Sequence, residues 1–113
     1  MSDSTTQALG RALDGLEARQ RAIASNIANL ETPGYQARVV SFEDSLRAAM
    51  RSGSPDGASI EVSRSLAPTR LNGNNVNLDM ELMESSQTVL LQRLVGQSIT
   101  SKYSMMRTAI SGR

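Results

Sequence analysis

The sequence predicts an all-α fold in which long N- and C-terminal helices pack as a coiled-coil-like hairpin around an irregular middle segment. Three observations carry this. Apolar residues near both ends recur in alternating steps of four and three. The centre is broken by Gly, Ser, Pro and Asp. Only Phe42, Tyr35 and Tyr103 are aromatic, so the apolar content is mostly Leu, Ile, Val, Met and Ala, which suits helix packing.

The first helix is read from Leu9, Leu13, Leu16, Ile23, Ile27 and Leu30, a heptad seam with Gln20 as its one polar position. Hydroxyls at Ser4–Thr6 are placed to cap its start. It must stop by Thr32, because the residue before a proline is pushed out of the α region. About 25 residues at about 1.5 Å each make a rod of about 38 Å. The last helix follows the same spacing through Leu78, Leu82, Val89, Ile99, Tyr103, Met106 and Ile110, interrupted at Ser85, Gln92 and Gly96. Asn77 is its expected N-cap, with Asp79 and Glu81 in the positive first turn and Gly112 as a stop. Around Leu90, Leu91, Leu94 and Val95 the apolar surface spreads beyond one stripe, which calls for several neighbours. Met80, Met83, Met105 and Met106 are expected to fill irregular apolar contacts.

Between the helices, Phe42, Leu46 and Met50 are spaced for a short helix capped by Ser41, and "SIEVS" alternates as one weak strand would. The stretch 52–75 reads as mobile in the isolated chain. The expected division is 1–35 for the first helix and its turn, 36–75 for the middle, and 76–113 for the last helix. Seams of this length do not offset the chain entropy of ordering them, so the monomer is expected to be marginal and to gain stability from partner chains.

The totals exclude several classes. Twelve basic and 11 acidic residues give a net charge of +1, and neither sign forms a run, so there is no footprint for nucleic acid or an anionic membrane. There is no Cys or His, which removes thiol chemistry, disulfides and Cys/His metal sites. No apolar run approaches the roughly 20 residues that span a bilayer, and the first residues do not read as a cleavable signal peptide. Catalysis has little to work with. Lys102 lies four residues after Ser98, a spacing that lets the two touch on a helix, but no pocket is indicated around them. The chain is not expected to be an enzyme or to need a cofactor or metal.

Two motifs stand out. In "SNIANLETPGYQAR" (25–38), Pro33 presets the second position of a turn and Gly34 supplies the positive φ that a type II turn needs next. Tyr35 is placed to pack on the helix end. Asn26 and Asn29 flank the seam, where amides either face solvent or fix register across a helix contact. In "LNGNNVNLD" (71–79), four asparagines crowd six positions, but Asp79 and Glu81 are too little charge for a calcium cage, leaving a loop that leads into a helix cap.

Asn26, Ile27, Ala28 and Asn29, two variable residues, then Thr32, Pro33, Gly34 and Tyr35 closely resemble the N-terminal signature of the bacterial flagellar axial proteins, the rod and hook family. The C-terminal "LNGNNVNLD…AISGR" is similar to the small rod subunits of that family. The resemblance covers roughly 8–37 and 72–113, and Asn77 stands where an acidic residue is usual. It implies a structural subunit of the proximal rod, exported unfolded by the flagellar type III apparatus without a cleaved signal. Its implied neighbours are copies of itself, other rod proteins, and the MS ring and export gate at the rod base. It implies terminal helices packed in a tube wall with the middle outside, and Asn26 and Asn29 bonding to neighbouring subunits. The competing reading is a soluble helical-hairpin adaptor or export chaperone, which would be a discrete, cooperatively melting species.

Overall fold

A computed structural model describes residues 3–111 and gives helix α1 (Ser4–Ala28), strand β1 (Arg38–Ser41), helix α2 (Glu43–Arg51), a 3-10 turn (Pro55–Gly57), strand β2 (Glu61–Arg64) and helix α3 (Leu78–Ser111). The molecule is a rod of 65 × 27 × 14 Å, long because α1 and α3 lie side by side and α3 outruns its partner.

α1 begins at Asp3, whose carboxylate accepts the Thr6 amide at 2.8 Å; the expected hydroxyl caps at Ser4–Thr6 are not what closes the helix. It ends at Ala28, well before Pro33, with Asn29 at the cap. Leu30, expected on the helical seam, therefore lies past the helix end, half-buried in the turn.

Two adjacent stripes of α1 are covered. The first is the expected seam, with Leu16 and Ile23 buried and Leu9, Leu13, Gln20 and Ile27 half-buried. The second runs one residue behind it: Ala8, Ala12, Gly15, Arg19, Ala22 and Asn26. Its small residues let the middle of the chain approach closely. A Cβ on Gly15 would clash with the Cγ–Cδ1–Cε1 edge of Phe42, which is buried in the core with Leu16, Ala22 and Val40. The Arg19 guanidinium sits 4.9 Å from the centre of the same ring.

β1 and β2 pair antiparallel, Val40 opposite Val62 and Ser41 opposite Glu61. The fold is thus mostly helical with a small two-stranded sheet, which corrects the all-α expectation. The "SIEVS" stretch does supply β2, whereas β1 was not foreseen. Its four residues, Arg-Val-Val-Ser, do not alternate. Ser41 belongs to β1 and not to a cap; Phe42 holds the cap position of α2 with no side-chain cap bond. Arg11 clamps the stretch after α2 by donating through Nε and Nη2 to the Ala58 carbonyl at 2.9 and 2.8 Å. Pro55 and Ala58 are buried there, so the segment expected to be mobile has a defined seat on α1.

α3 starts as expected, with Asn77 Oδ1 accepting the Met80 amide at 3.1 Å. It runs antiparallel to α1. Three contacts set the register: Asn26 to Glu81, Gln20 to Ser85 and Asp3 to Lys102. Beyond Lys102 the helix continues past the start of α1. Its more covered positions are Glu81, Ser85, Thr88, Gln92, Val95, Ile99, Lys102 and Met106, again in steps of four and three. This corrects the seam read from sequence. Ile99 and Met106 belong to the covered stripe and Val89 is half-buried beside it, but Leu78, Leu82, Tyr103 and Ile110 are exposed. Met80, Met83 and Met105 are exposed as well. The cause is geometric. A helix apolar on several sides carries two adjacent stripes with the same period, and the hairpin covers the more polar one.

Candidate functional site

The two sequence motifs meet at one end of the rod. α1 delivers Asn26 there, the turn after it delivers Thr32–Tyr35, and the loop before α3 delivers Arg70–Val76.

The turn is the one expected. Gly34 has φ of 75°, and the Tyr35 amide donates to the Thr32 carbonyl at 3.2 Å, closing a type II geometry around Pro33. The Gly34 amide then donates to the Asn72 carbonyl at 2.8 Å. Gly73, at φ of 83°, lies so close that a Cβ on it would stand 3.2 Å from Gly34 Cα. Two glycines are thus needed back to back, each for its backbone angle and one for the approach as well.

Around this crossing, asparagine side chains act as backbone substitutes. Asn26 is 1 % exposed and uses every hydrogen-bonding position of its amide. Nδ2 donates to Arg38 O at 3.0 Å and Glu81 Oε1 at 2.9 Å, while Oδ1 accepts from Arg38 N at 2.8 Å and the Tyr35 hydroxyl at 3.1 Å. One side chain thereby covers the outer edge of β1 and ties it to α3. Asn74, 0 % exposed, donates to the carbonyls of Asn29 and Thr32, both at 2.9 Å, and accepts the Val76 amide at 2.8 Å. Asn75 donates to the carbonyls of Ser65 and Ala67 and accepts the Ala37 amide. Arg70 spans the crossing, reaching Val76 O at 2.7 Å and Leu30 O at 2.6 Å. Among the described residues no buried side-chain nitrogen or oxygen lacks a partner.

The structure therefore brings together Asn26, Asn29, Thr32, Pro33, Gly34 and Tyr35 and shows what they bind. Asn26 has no position left for another subunit, which corrects the expectation that it bonds outward. Asn29 is held less fully: Nδ2 donates to Ser25 O at 2.8 Å and Oδ1 accepts from Thr32 Oγ1 at 3.0 Å. The Tyr35 hydroxyl bonds Ser25 and Asn26, a polar role where ring packing was expected. Ile27 is half-buried and Ala28 is exposed at the last helical position. Arg38, Arg70, Asn74, Asn75 and Glu81 were missed as members of the site. The signal for two of them was the crowding of asparagines, read as a loop because too little charge accompanied them.

Two ion pairs tie α1 and its cap to other elements. Arg19 forks onto Glu43 at 2.7 and 2.8 Å and onto Val40 O at 2.7 Å. Hydrogen bonding between Arg19 and Glu43 raises the arginine pKa and lowers the carboxylate pKa. At the far end Lys102 Nζ sits 2.8 Å from Asp3, and bonds from Lys102 and the Thr6 amide hold the Asp3 carboxyl near 2. Lys102 is thus engaged by Asp3, while Ser98 Oγ donates back to Leu94 O at 2.9 Å; the two are not arranged as a nucleophile and base. No three acidic or other metal-ligating side chains converge among the described residues.

Comparison with other proteins points to the N-terminal part of this arrangement and, more broadly, to the whole chain. A family model described as "Flagella basal body rod protein" matches residues 7–36, which is α1 and the turn. The chain is 30 % identical to the flagellar basal body rod protein FlgB of Bacillus subtilis, over 96 % of this chain and 94 % of that one. The chain belongs to the flagellar basal body rod protein family. It is also 29 % identical to FlgB of Escherichia coli over 84 % of this chain and 76 % of that protein, and 42 % identical to FlgB of Yersinia enterocolitica over a shorter stretch, 40 % of this chain and 33 % of that one. It is a component of the flagellar basal body rod, of a structural family, and no helix among the described residues is long and apolar enough to cross a membrane. The family match ends one residue past Tyr35, so the matched stretch contains one half of the clasp that Thr32–Tyr35 and Arg70–Val76 form.

Proposed function

We propose that the chain is a structural subunit of the proximal rod that polymerises through α1 and α3 with copies of itself and other rod proteins. The observation that carries this reading is the uncovered face of α3. Leu78, Leu82, Leu90, Leu91, Leu94, Tyr103 and Ile110 are exposed along one helix of 34 residues, far more apolar surface than a soluble helix leaves free. A tube wall supplies several neighbours to each helix, so such a face is covered there. At the rod base the adjoining partners are the MS ring and the export gate. Delivery is by the flagellar type III system, through which a thin, marginally stable chain passes unfolded. The clasp sets the angle at which the chain leaves α1 and returns to α3, so every subunit presents its helices alike.

Sedimentation and circular dichroism of the purified chain across a concentration series test the reading. Weak helicity when dilute, rising with concentration as large species form, is the expected result. A sharply melting monomer or dimer at every concentration would support the adaptor or chaperone reading instead.

A further inference from the structure

The loop that closes the clasp contains the sequence Asn72-Gly73, and no other asparagine in the chain is followed by glycine. Asn26 and Asn29 precede Ile and Leu, Asn74 precedes Asn, Asn75 precedes Val and Asn77 precedes Leu. An asparagine before glycine is chemically unstable because no side chain shields the following amide nitrogen from its own carboxamide. We propose that Asn72 is a spontaneous deamidation site whose reactivity is governed by the clasp: closed, the clasp protects it; open, the site converts and the isoaspartyl product does not re-close.

The chemistry needs only water. The Gly73 nitrogen attacks Asn72 Cγ, forming an N–Cγ bond. The Cγ–Nδ2 bond breaks and the nitrogen leaves as ammonia, taking up the Gly73 amide proton. The resulting five-membered imide is opened by water. Cleavage of the N–Cγ bond yields aspartate, and cleavage between the Asn72 backbone carbonyl carbon and the nitrogen yields the isoaspartyl link, in which the chain runs through Cγ.

The structure restrains both reacting groups. The Gly73 amide is committed to the Arg70 carbonyl at 2.8 Å, and the Asn72 side-chain oxygen accepts the Asn74 amide at 3.1 Å. The Asn72 carbonyl is itself held by the Gly34 amide, so the peptide between Asn72 and Gly73 cannot swing to present its nitrogen to Cγ. Asn72 is exposed, so its protection comes from these bonds and not from burial. The isoaspartyl product adds one methylene to the backbone between two anchored points. With Gly73 already packed on Gly34, the bonds at Arg70 and Gly34 cannot both be kept.

The test is to age the full purified chain in mildly alkaline buffer, at a concentration where its helical signal is complete, with and without urea, and to quantify conversion at each asparagine by peptide mass spectrometry. Conversion centred on Asn72 and at least about tenfold faster in urea is expected, because the reaction then no longer waits for local opening. Equal rates, or conversion concentrated at another asparagine, overturn the proposal. Asn74→Ala removes the bonds to Asn29 and Thr32, and Gly15→Ala disturbs the core without touching the clasp. In buffer, with the temperature set equally far below each variant's own melting point, Asn74→Ala is expected to convert several-fold faster than Gly15→Ala. The same rate in both would mean that only global unfolding matters, and the clasp would lose its role. Finally, chains aged in urea and returned to buffer should regain helicity in their unconverted and aspartyl fractions and not in the isoaspartyl one; full recovery by the isoaspartyl form refutes the claim that the clasp does not re-close.

Discussion

α1 and α3 are built from much the same residues and differ in how far the chain itself satisfies them. α1 is covered along two adjacent stripes, one against α3 and one against the sheet and Phe42, and its polar groups at Arg11, Arg19 and Asn26 are each bonded to the middle segment. α3 is covered along one stripe, whose members include Glu81, Ser85, Gln92 and Lys102, while most of its leucines face outward. Periodicity alone therefore does not reveal where a helix packs. What settles it is which stripe has small residues and paired polar groups opposite something able to meet them.

The comparison makes the two helices fail differently when changed. The largest effect is expected from Leu90→Glu with Leu94→Glu on the outer face of α3. Rods should be absent from electron micrographs and swimming lost, while the helical signal of the dilute chain stays as it was. Loss of that signal would mean the face is already covered within the chain. Next comes Asn26→Ala, which strands the Arg38 amide and carbonyl, takes one partner each from the Tyr35 hydroxyl and the Glu81 carboxylate, and should cost about 3 kcal/mol in urea denaturation at a concentration where the unaltered chain is fully helical. Gly15→Ala follows, at about 1–3 kcal/mol, since the added methyl must displace a buried ring; an unchanged melting point would show that Phe42 can move aside freely. Asn77→Ala removes the cap of α3 and should cost about 1 kcal/mol.

The smallest effect is electrostatic. The Asp3 carboxyl lies near 2 in the folded chain against an ordinary 3.8, so the tie to Lys102 contributes fully above the higher value and is lost as pH falls between the two. Glu43 is lowered as well, by Arg19, and adds to the loss over an acid range below 4.5. Stability should therefore decline on acidification through this window, and Asp3→Asn should remove part of the decline. Added salt should shrink the Asp3 share, because that pair is open to solvent.

Much of this was legible in the sequence because it is local. The type II turn follows from Pro33 and Gly34, the α3 cap from Asn77, and the presence of both long helices from their period; α1 stops short of its proline breaker, and Gly112, the expected stop of α3, lies outside the described residues. What was not legible depends on residues far apart in the chain. β1 exists because β2 and Asn26 complete its hydrogen bonds, and four residues with no alternation cannot announce that. Asn74 is an unremarkable loop residue until the carbonyls of Asn29 and Thr32 are brought to it. Gly15 carries no signal of its own in the sequence, and its role shows only when Phe42 is placed on it. The stripe of α3 that faces α1 is hidden for the opposite reason: its outer leucines carry the stronger periodic signal.

The distances in sequence across the clasp have a temporal side. Asn74 reaches back 45 residues to Asn29, Glu81 reaches back 55 to Asn26, and Ser85 reaches back 65 to Gln20. Any process that releases the chain N-terminus first, beginning with the ribosome, therefore holds α1 without its α3 partner until most of the polypeptide has emerged. For that interval the protein is a strand of string, and it becomes a bracket only when its last third arrives.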